Sequence, residues 1–204
     1  MMSKRNIGAR RCGALLAIVW VAMGLRLLVA GQADAGEKAT SPRVLIITIS
    51  GGINSGSEDY VREAIDRAEK DGYGCLVLEL DTPGGGLKET QTIVKKMLQA
   101  RVPVVVYVWP KGAQAASAGT FLTMAGHVAA MAPGTRIGAA HPVQFPVGPG
   151  KGDREDSDKG KPGRDIMMEK VENDTASFIV GVAKQRGRNA QWAERAVRES
   201  VSIT

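Results

Sequence analysis

Several residue types are too scarce in this sequence to support whole classes of function. Two cysteines in 204 residues, Cys12 and Cys75, provide neither a disulfide framework nor a cysteine-rich metal site. Cys75 stands alone in the apolar segment CLVLEL, where a small buried hydrophobe is the simplest interpretation. The chain also has only two histidines, so no resident metal or cofactor is expected.

Basic charge is in excess only at the N-terminus. The formal net charge is +6, but residues 1–35 hold five of the 27 basic residues and one of the 21 acidic ones. The remaining chain therefore carries 22 basic and 20 acidic residues. Aromatic residues make up 4% of the sequence, so no basic patch interleaved with aromatics remains and nucleic-acid binding is not expected.

The first 36 residues have the three parts of a secretory signal peptide. Residues 1–11 are basic, residues 12–30 are apolar apart from Arg26, and the small residues ADAG follow at 33–36. We expect a signal peptide over residues 1–35 and a polar linker at 36–42. An uncleaved anchor is the alternative, since an apolar run of this length nearly spans a bilayer. Both interpretations place the rest of the chain outside the cytoplasm, in the periplasm or another extracytoplasmic space.

Strand and helix patterns alternate from residue 43 onward. RVLIITIS at 43–50 is apolar on both faces, which is typical of an interior strand of a parallel sheet. Connections long enough for crossover helices indicate a layered α/β domain over residues 43–204 with a mostly parallel sheet. The predicted strands are 43–50, 75–80, 102–108 and 127–133, and the predicted helices are 57–70 with Ser57 as N-cap, 87–100, 117–127, 166–186 and 189–199.

Two stretches depart from this alternation. Residues 144–165 are rich in glycine, proline and mixed charge and have little to bury, which predicts a mobile surface loop. The chain stops at SVSIT, directly after the apolar Ile203. We interpret this end as a C-terminal truncation of the domain.

A glycine-rich turn follows the second predicted strand. In DTPGGG at 81–86, the glycines allow backbone N–H groups to face outward at a strand end that precedes a helix. Such amides can stabilise an oxyanion. The alternative interpretation is an ordinary tight turn.

A serine flanked by very small residues follows the third predicted strand. In AASAGT at 115–120, Ser117 stands at the start of a helix with room beside it for a substrate backbone. A helix N-cap is the common role for such a serine, and a nucleophile is the alternative.

A nucleophilic serine needs a partner that removes its proton. His127 opens a predicted buried strand and is interpreted as structural, whereas His141 in GAAHPV is a candidate for a substrate groove. A lysine acts as a base only as the neutral amine, which burial favours. In contrast to the three lysines of residues 144–165, Lys170 shares a helical stripe with the apolar residues Met167, Val171 and Phe178. Asp174 lies one turn further on and would favour the charged amine by pairing with it.

The motifs together are similar to one known family. ELDTPGG at 79–85, VPVVVYV at 102–108, the segment 112–143, EKVENDTASFI at 169–179 and the segment 187–204 carry the similarity. With these motifs the chain resembles the NfeD-type membrane-bound serine proteases, which are related to signal peptide peptidase A. The resemblance implies a crotonase-like fold of the Clp-protease type over residues 43–204.

The resemblance also implies roles for individual residues. The serine of the SAGT motif, Ser117, corresponds to the family's nucleophile, and Lys170 in its K-x-x-N context corresponds to the family's catalytic lysine. The oxyanion amides correspond to Gly84, Gly85 and Ala118.

Two more residues are candidates for the substrate groove. Asn173 completes the K-x-x-N pattern that begins at Lys170, and His141 stands in the segment GAAHPV.

The expected function is therefore an exported, membrane-associated serine endopeptidase with a Ser-Lys dyad. The resemblance implies hydrophobic segments of membrane proteins as substrates, stomatin-like proteins among them, and a homodimer or higher homo-oligomer. A catalytically weak or inactive scaffold of the same fold is the alternative. An enzyme acting on acyl thioesters would share the fold, but the export signal argues against it because coenzyme A is cytoplasmic.

Overall fold

A computed structural model of the chain describes residues 42–143 and 162–204, which belong to one compact unit, Pro42–Thr204. The predicted signal peptide, the linker up to residue 41 and most of the predicted mobile loop lie outside the described residues. The strands are β1 (Val44–Ser50), β2 (Cys75–Asp81), β3 (Val104–Val108), β4 (Gln114–Ala116), β5 (Val128–Met131), β6 (Arg136–Gly138) and β7 (Ser202–Ile203). The helices are α1 (Ser55–Lys70), α2 (Leu87–Gln99), α3 (Ala118–Ala125), α4 (Pro162–Gln185) and α5 (Ala190–Arg198).

The main sheet has four strands in the order β1-β2-β3-β5, and all its pairs are parallel. This confirms the predicted α/β fold with a parallel sheet. The prediction that the first strand lies in the sheet interior is wrong, because β1 is an edge strand. One of its faces packs on the core through Ile47 and Ile49, but Ile46 on the other face is 58% exposed.

A second, three-stranded sheet has the order β4-β6-β7. β4 pairs in parallel with β6, which brings Ala116 opposite Gly138, and β6 pairs antiparallel with β7. None of these three strands was predicted, because segments of two or three residues are too short to show a two-residue alternation. This small sheet determines where the chain enters α3.

The start of α1 differs from the prediction that Ser57 is its N-cap. Asn54 is the N-cap residue, and its side-chain oxygen accepts a hydrogen bond from the Ser57 N–H at 3.1 Å. The Ser57 hydroxyl oxygen accepts from the Asn54 N–H at 2.8 Å. This reciprocal capping box occupies two backbone donors that a helix start otherwise leaves unpaired.

The helix α4 also begins earlier than predicted, at Pro162 inside the stretch predicted as loop. A proline suits the first turn of a helix because its missing N–H would have no partner there. Ile179 and Val182 of α4 are buried together with Ala193 and Val197 of α5, so the two helices complete the core. Within the part of the chain that the structure describes, no helix is both long enough and apolar enough to cross a membrane.

Candidate active site

Ser117 stands between β4 and α3 with an unusual backbone. It is the N-cap residue of α3, but its side chain makes no capping hydrogen bond. Its φ is 50° and its ψ is −113°, a combination that costs a residue with a Cβ of the order of 1–3 kcal/mol. The sharp turn from strand to helix leaves the half-buried hydroxyl free of a structural role.

The backbone around Ser117 is held by the small sheet. The Ser117 N–H donates to the Gly138 carbonyl at 3.0 Å. One turn into α3, the buried Thr120 Oγ1 lies 2.8 Å from the same carbonyl and 3.0 Å from that of Ala115. It also accepts from the Gly138 N–H at 3.2 Å. The conformation at Ser117 is therefore fixed by several contacts to Gly138.

The glycine-rich turn lies directly against Ser117. A Cβ built on Gly84, whose φ is +126°, would be 2.7 Å from the Ser117 Cβ and 3.1 Å from its Oγ. Since heavy atoms cannot approach so closely, only glycine fits beside the hydroxyl. The two small-residue clusters identified in the sequence therefore form a single site.

Thr82 holds this turn in shape. Its buried hydroxyl oxygen accepts from the Gly84 N–H at 3.1 Å, and the Gly84 carbonyl accepts from the Ile53 N–H at 2.8 Å. The backbone of Thr82 is bound to β4, where its N–H donates to the Gln114 carbonyl at 2.7 Å. The Gly84 amide, one of the three predicted oxyanion donors, is thus already engaged.

The other two predicted oxyanion donors, the Gly85 and Ala118 amides, are unengaged. Neither N–H has a hydrogen-bond partner within residues 42–143 and 162–204. Gly85 follows the residue that touches Ser117, and Ala118 is the first residue of α3, where the helix dipole adds partial positive charge. Two such backbone N–H donors are the groups from which an oxyanion hole is built.

Ser117, Gly85 and Ala118 all line one groove of about 780 Å³. Its walls come from the glycine-rich turn with the start of α2, from α3, from the segment after β6, and from α4. The lining residues are Pro83–Leu87, Thr90, Ser117, Ala118, Phe121, Ala139–Val143, Val171 and Thr175. The groove is mostly apolar, as a binding site for an apolar peptide would be.

Lys170 is close to the groove in sequence but does not line it. The next residue, Val171, lines the groove, whereas Lys170 lies on the exposed side of α4. Among the contacts of the described residues, no hydrogen bond joins Lys170 to Ser117 and no ion pair joins it to Asp174. The predicted base is therefore exposed and next in sequence to a groove-lining residue, but it does not itself line the groove.

Asn173 lies on the outer surface of α4, away from the groove lining. Its side-chain oxygen accepts from Arg198 Nη1 at 2.9 Å, and the same guanidinium lies 3.5 Å from Glu172. Arg198 belongs to α5, so these contacts tie the two helices together. In this position Asn173 contributes to the placement of α4.

The two histidines differ in position. His141 is half-buried and is among the residues that line the groove, and its Nδ1 lies 3.0 Å from the Val197 carbonyl. His127 Nδ1 accepts the Val104 N–H at 3.0 Å at the edge of the main sheet. Burial, and secondarily the charge of Arg186, lower the pKa of His127. This supports the structural interpretation of His127.

Two arginines that the sequence analysis did not single out hold the far end of α3. Arg186 Nε donates to the Ala125 carbonyl at 2.8 Å, and Arg188 Nη2 donates to the Gly126 carbonyl at 2.7 Å. Cations at a helix C-terminus compensate its unpaired carbonyls and its dipole. These contacts join the helix that carries Ser117 to the end of α4. Among the described residues, no group of His, Cys, Asp and Glu side chains has the arrangement of a metal site.

Comparison with known proteins places this architecture in a family. A family model described as "NfeD1b, N-terminal domain" matches residues 43–159. The chain is 36% identical over 164 residues to the membrane-bound protease PH1510 of Pyrococcus horikoshii, across 79% of this chain and 34% of that protein. It is 25% identical over 118 residues to membrane protein NfeD1b of Bacillus subtilis, across 58% of this chain and 26% of that protein. The chain thus spans about a third or less of these relatives.

Solved structures share the fold. A variant of the 1510-N membrane-bound stomatin-specific protease with a serine replaced by alanine superposes with a TM-score of 0.68 at 36% identity, covering 80% of this chain and 73% of that one. A variant with a lysine replaced by alanine, in complex with a substrate peptide, gives 0.68 at 34% identity, covering 81% and 70%. Since the family model matches more than half of the 204 residues, the chain belongs to the family of the NfeD1b N-terminal domain.

Proposed function

We propose that this protein is a serine endopeptidase in which Ser117 is the nucleophile. The observation that carries the proposal is the positive φ of Ser117 at an apolar groove, with two unengaged amides beside it. An N-cap serine would use its oxygen on the helix, and this one does not. The strained turn instead presents the hydroxyl to whatever occupies the groove.

The reaction follows from this geometry. The Ser117 Oγ attacks the carbonyl carbon of a bound peptide and loses its proton to a base. The Gly85 and Ala118 N–H groups stabilise the negative oxygen of the tetrahedral intermediate. Its collapse breaks the C–N bond, and the amine leaves with a proton from the protonated base. Water then hydrolyses the acyl-enzyme by the same steps and regenerates the hydroxyl.

Lys170 is the proposed base. It directly precedes Val171, so it is attached to the same turn of α4 that forms part of the groove wall. Bound substrate would exclude water from the groove and favour the neutral amine that a base requires. In line with this pairing, variants of the 1510-N protease lacking a serine and lacking a lysine have been solved.

The names of the relatives support a substrate class. The 1510-N protease is stomatin-specific, and the relatives include a membrane-bound protease and a membrane protein. Together with the apolar groove, this favours hydrophobic segments of membrane proteins, including stomatin-like ones, as substrates. We also propose that the protein acts at a membrane outside the cytoplasm and forms homo-oligomers.

The test compares cleavage of a quenched fluorescent apolar peptide by the wild type, Ser117→Ala and Lys170→Ala. Ser117→Ala should lose at least about 10³-fold in kcat, because the nucleophile is removed while the amides remain. Ser177→Ala, an exposed serine on α4, is the matched control and should retain wild-type activity. Equal activity in the wild type and Ser117→Ala would refute the assignment of Ser117 as the nucleophile.

The exposed position of Lys170 favours one alternative, a scaffold that keeps the fold without catalysis. A scaffold would bind apolar peptides without cutting them, and binding would not depend on Ser117. Peptide affinity measured alongside cleavage separates the two functions.

A further inference from the structure

The buried threonines of the described residues differ in what their hydroxyl groups bind. Five of them have hydrogen-bond partners within the protein, namely Thr82, Thr90, Thr120, Thr123 and Thr135. The sixth is Thr175 on α4, which is 1% exposed and whose Oγ1 has no partner among the described residues. A buried hydroxyl without a partner is unfavourable, so Thr175 gains from a ligand that supplies the missing hydrogen bond.

The unpaired hydroxyl is not a general property of threonine in these helices. The hydroxyl groups of Thr90, Thr92 and Thr123 each donate to the carbonyl one turn earlier, at 2.7, 3.0 and 2.8 Å. The same bond from Thr175 would go to the Val171 carbonyl, and it is not formed. Because this bond within the helix is not made, the Thr175 hydroxyl is available to a group outside α4.

Two contacts fix how α4 lies against α3, the helix that begins beside Ser117. Phe121 of α3 and Phe178 of α4 stack with their ring centroids 6.0 Å apart. Further along both helices, Arg186, directly after α4, donates from Nε to the Ala125 carbonyl at the end of α3 at 2.8 Å. Since the contacts follow in the same order along both helices, α3 and α4 run in the same direction.

This register places Thr175 beside the start of α3. Thr175 stands three residues before Phe178, as Ala118 stands three residues before Phe121. At a rise of about 1.5 Å per residue, Thr175 and Ala118 therefore lie at a similar height along their helices. Both of them line the groove. The unpaired hydroxyl thus belongs to the part of the groove next to the Ser117 turn.

The other polar side chains that line the groove are already engaged or have another proposed role. The Thr90 hydroxyl donates to the Gly86 carbonyl at 2.7 Å. His141 Nδ1 lies 3.0 Å from a carbonyl of α5, and Ser117 is the proposed nucleophile. Among the described residues of the groove wall, Thr175 therefore has the hydroxyl that can recognise a polar group of a substrate.

We propose that Thr175 is a specificity-determining residue whose hydroxyl binds one small hydrogen-bonding side chain within an otherwise apolar substrate segment. This inference rests on the proposed endopeptidase function. Because Thr175 is 1% exposed, its partner is the tip of a substrate side chain that enters the groove, and not the substrate backbone. The Thr175 hydroxyl is already removed from water in the free protein, so the bond to substrate forms without that desolvation cost.

Thr175→Val separates the hydroxyl from the shape of the side chain. Valine has nearly the same shape as threonine, and the substitution breaks no hydrogen bond among the described residues, so thermal stability should be equal or higher. Thr175→Ser keeps the hydroxyl and is the conservative variant. Thr90→Val is the matched control, because Thr90 is also buried and lines the groove but has its hydroxyl bound.

The experiment measures kcat/KM of the full chain for pairs of quenched fluorescent apolar peptides that differ only by valine or threonine. The exchange is placed in turn at each position that flanks the cleaved bond. At one position the wild type should prefer the threonine peptide by about fivefold. Thr175→Val should lose this preference, Thr175→Ser should retain it, and Thr90→Val should retain it whatever its overall rate.

The two proposals fail in distinguishable ways. If the wild type shows no such preference at any position, or if Thr175→Val keeps it, the role of Thr175 is wrong, while cleavage that depends on Ser117 leaves the endopeptidase function intact. The preference would be absent, for example, if the hydroxyl turned to the Val171 carbonyl. Equal cleavage by the wild type and Ser117→Ala would overturn both proposals.

Discussion

The two sides of the groove differ in how firmly they hold their candidate catalytic groups in position. On one side, Ser117 is fixed by Gly138 and Thr120 and lies against Gly84, with every contact made through backbone or through a buried hydroxyl. On the other side, Lys170 is an exposed residue near the start of α4. The proposed nucleophile and the proposed oxyanion amides are preorganised, whereas the proposed lysine base depends on the placement of one helix.

Because the groups on the serine side already hold their positions, the chemical step does not require them to rearrange. Lys170, by contrast, is solvent-exposed on α4, so substrate in the groove would have to exclude water from it before it could act as a neutral base. We therefore expect substitutions on the serine side to reduce activity strongly, and substitutions that only loosen the attachment of α4, leaving Lys170 in place, to act weakly and through substrate binding.

Among substitutions that leave Ser117 and Lys170 in place, the largest effect is expected at Gly84. Gly84→Ala places a methyl 2.7 Å from the Ser117 Cβ, so kcat should fall by at least about 10²-fold as the nucleophile or turn is displaced. Gly51→Ala is the matched control, because Gly51 has nearly the same φ, +123°, with nothing within 4 Å of an added Cβ. Both variants should lose thermal stability through the strained φ, and Gly84→Ala should lose more because of its clash with Ser117. A loss of activity in both would mean that backbone strain, and not contact with Ser117, is responsible.

A smaller effect is expected at Thr120. Thr120→Val removes the buried hydroxyl that lies within hydrogen-bond distance of the Ala115 and Gly138 carbonyls and of the Gly138 N–H, at a cost of about 1–3 kcal/mol, and should lower kcat about tenfold by loosening the Ser117 turn. The control is Thr123→Val, a buried threonine whose hydroxyl bonds only the Gly119 carbonyl within its own helix. Chemical denaturation and steady-state kinetics measure both effects. Equal kcat values for the two variants would contradict a role for Thr120 in holding the turn.

The α4 side should respond more weakly. Arg198→Ala breaks the contacts from α5 to Asn173 and Glu172, and kcat/KM should fall about threefold, because exposed ion pairs are weak. Arg195→Ala removes only a pair with Glu199 inside α5 and should leave kcat/KM unchanged. If Arg198→Ala instead reduced activity as much as Gly84→Ala, the contrast between the two sides would be wrong.

The smallest effect concerns stability and pH. Burial lowers the pKa of His127, so the folded state binds its proton less well than the unfolded chain does. Stability should therefore be full above the ordinary histidine pKa of about 6.5 and decline as the pH falls through the lowered value. Thermal unfolding between pH 7 and pH 5 measures this, and His127→Asn should flatten the dependence. An unchanged pH dependence of thermal stability in His127→Asn would mean that a different group is responsible.

Much of the core could be predicted from the sequence because it depends on local pattern. Strands such as CLVLEL are long apolar runs between glycine and proline signals, and α2 was predicted to begin at residue 87, as it does. The edge position of β1 could not be predicted, since a two-sided apolar strand looks the same at an edge as in the interior. β6 could not be predicted for a different reason, because a strand of three residues is too short to show an alternation of apolar and polar positions.

The site shows the same division. Ser117 and the glycine-rich turn were found by composition, but their contact across Gly84 depends on the parallel pairing of β4 with β6 and of Thr82 with Ala115. The Thr82 hydroxyl that engages the Gly84 amide gave no signal in the sequence, because a threonine before a proline is common in turns. For Lys170, helical spacing suggested an apolar stripe, yet Met167 on that stripe is 58% exposed.

The proposed catalysis depends most directly on Ser117 as the nucleophile. Mass spectrometry after treatment of the full chain with a fluorophosphonate probe tests this directly. We expect one covalent adduct, on the peptide that contains Ser117, and none in Ser117→Ala. An unmodified wild type, or an adduct that persists in Ser117→Ala, would contradict it.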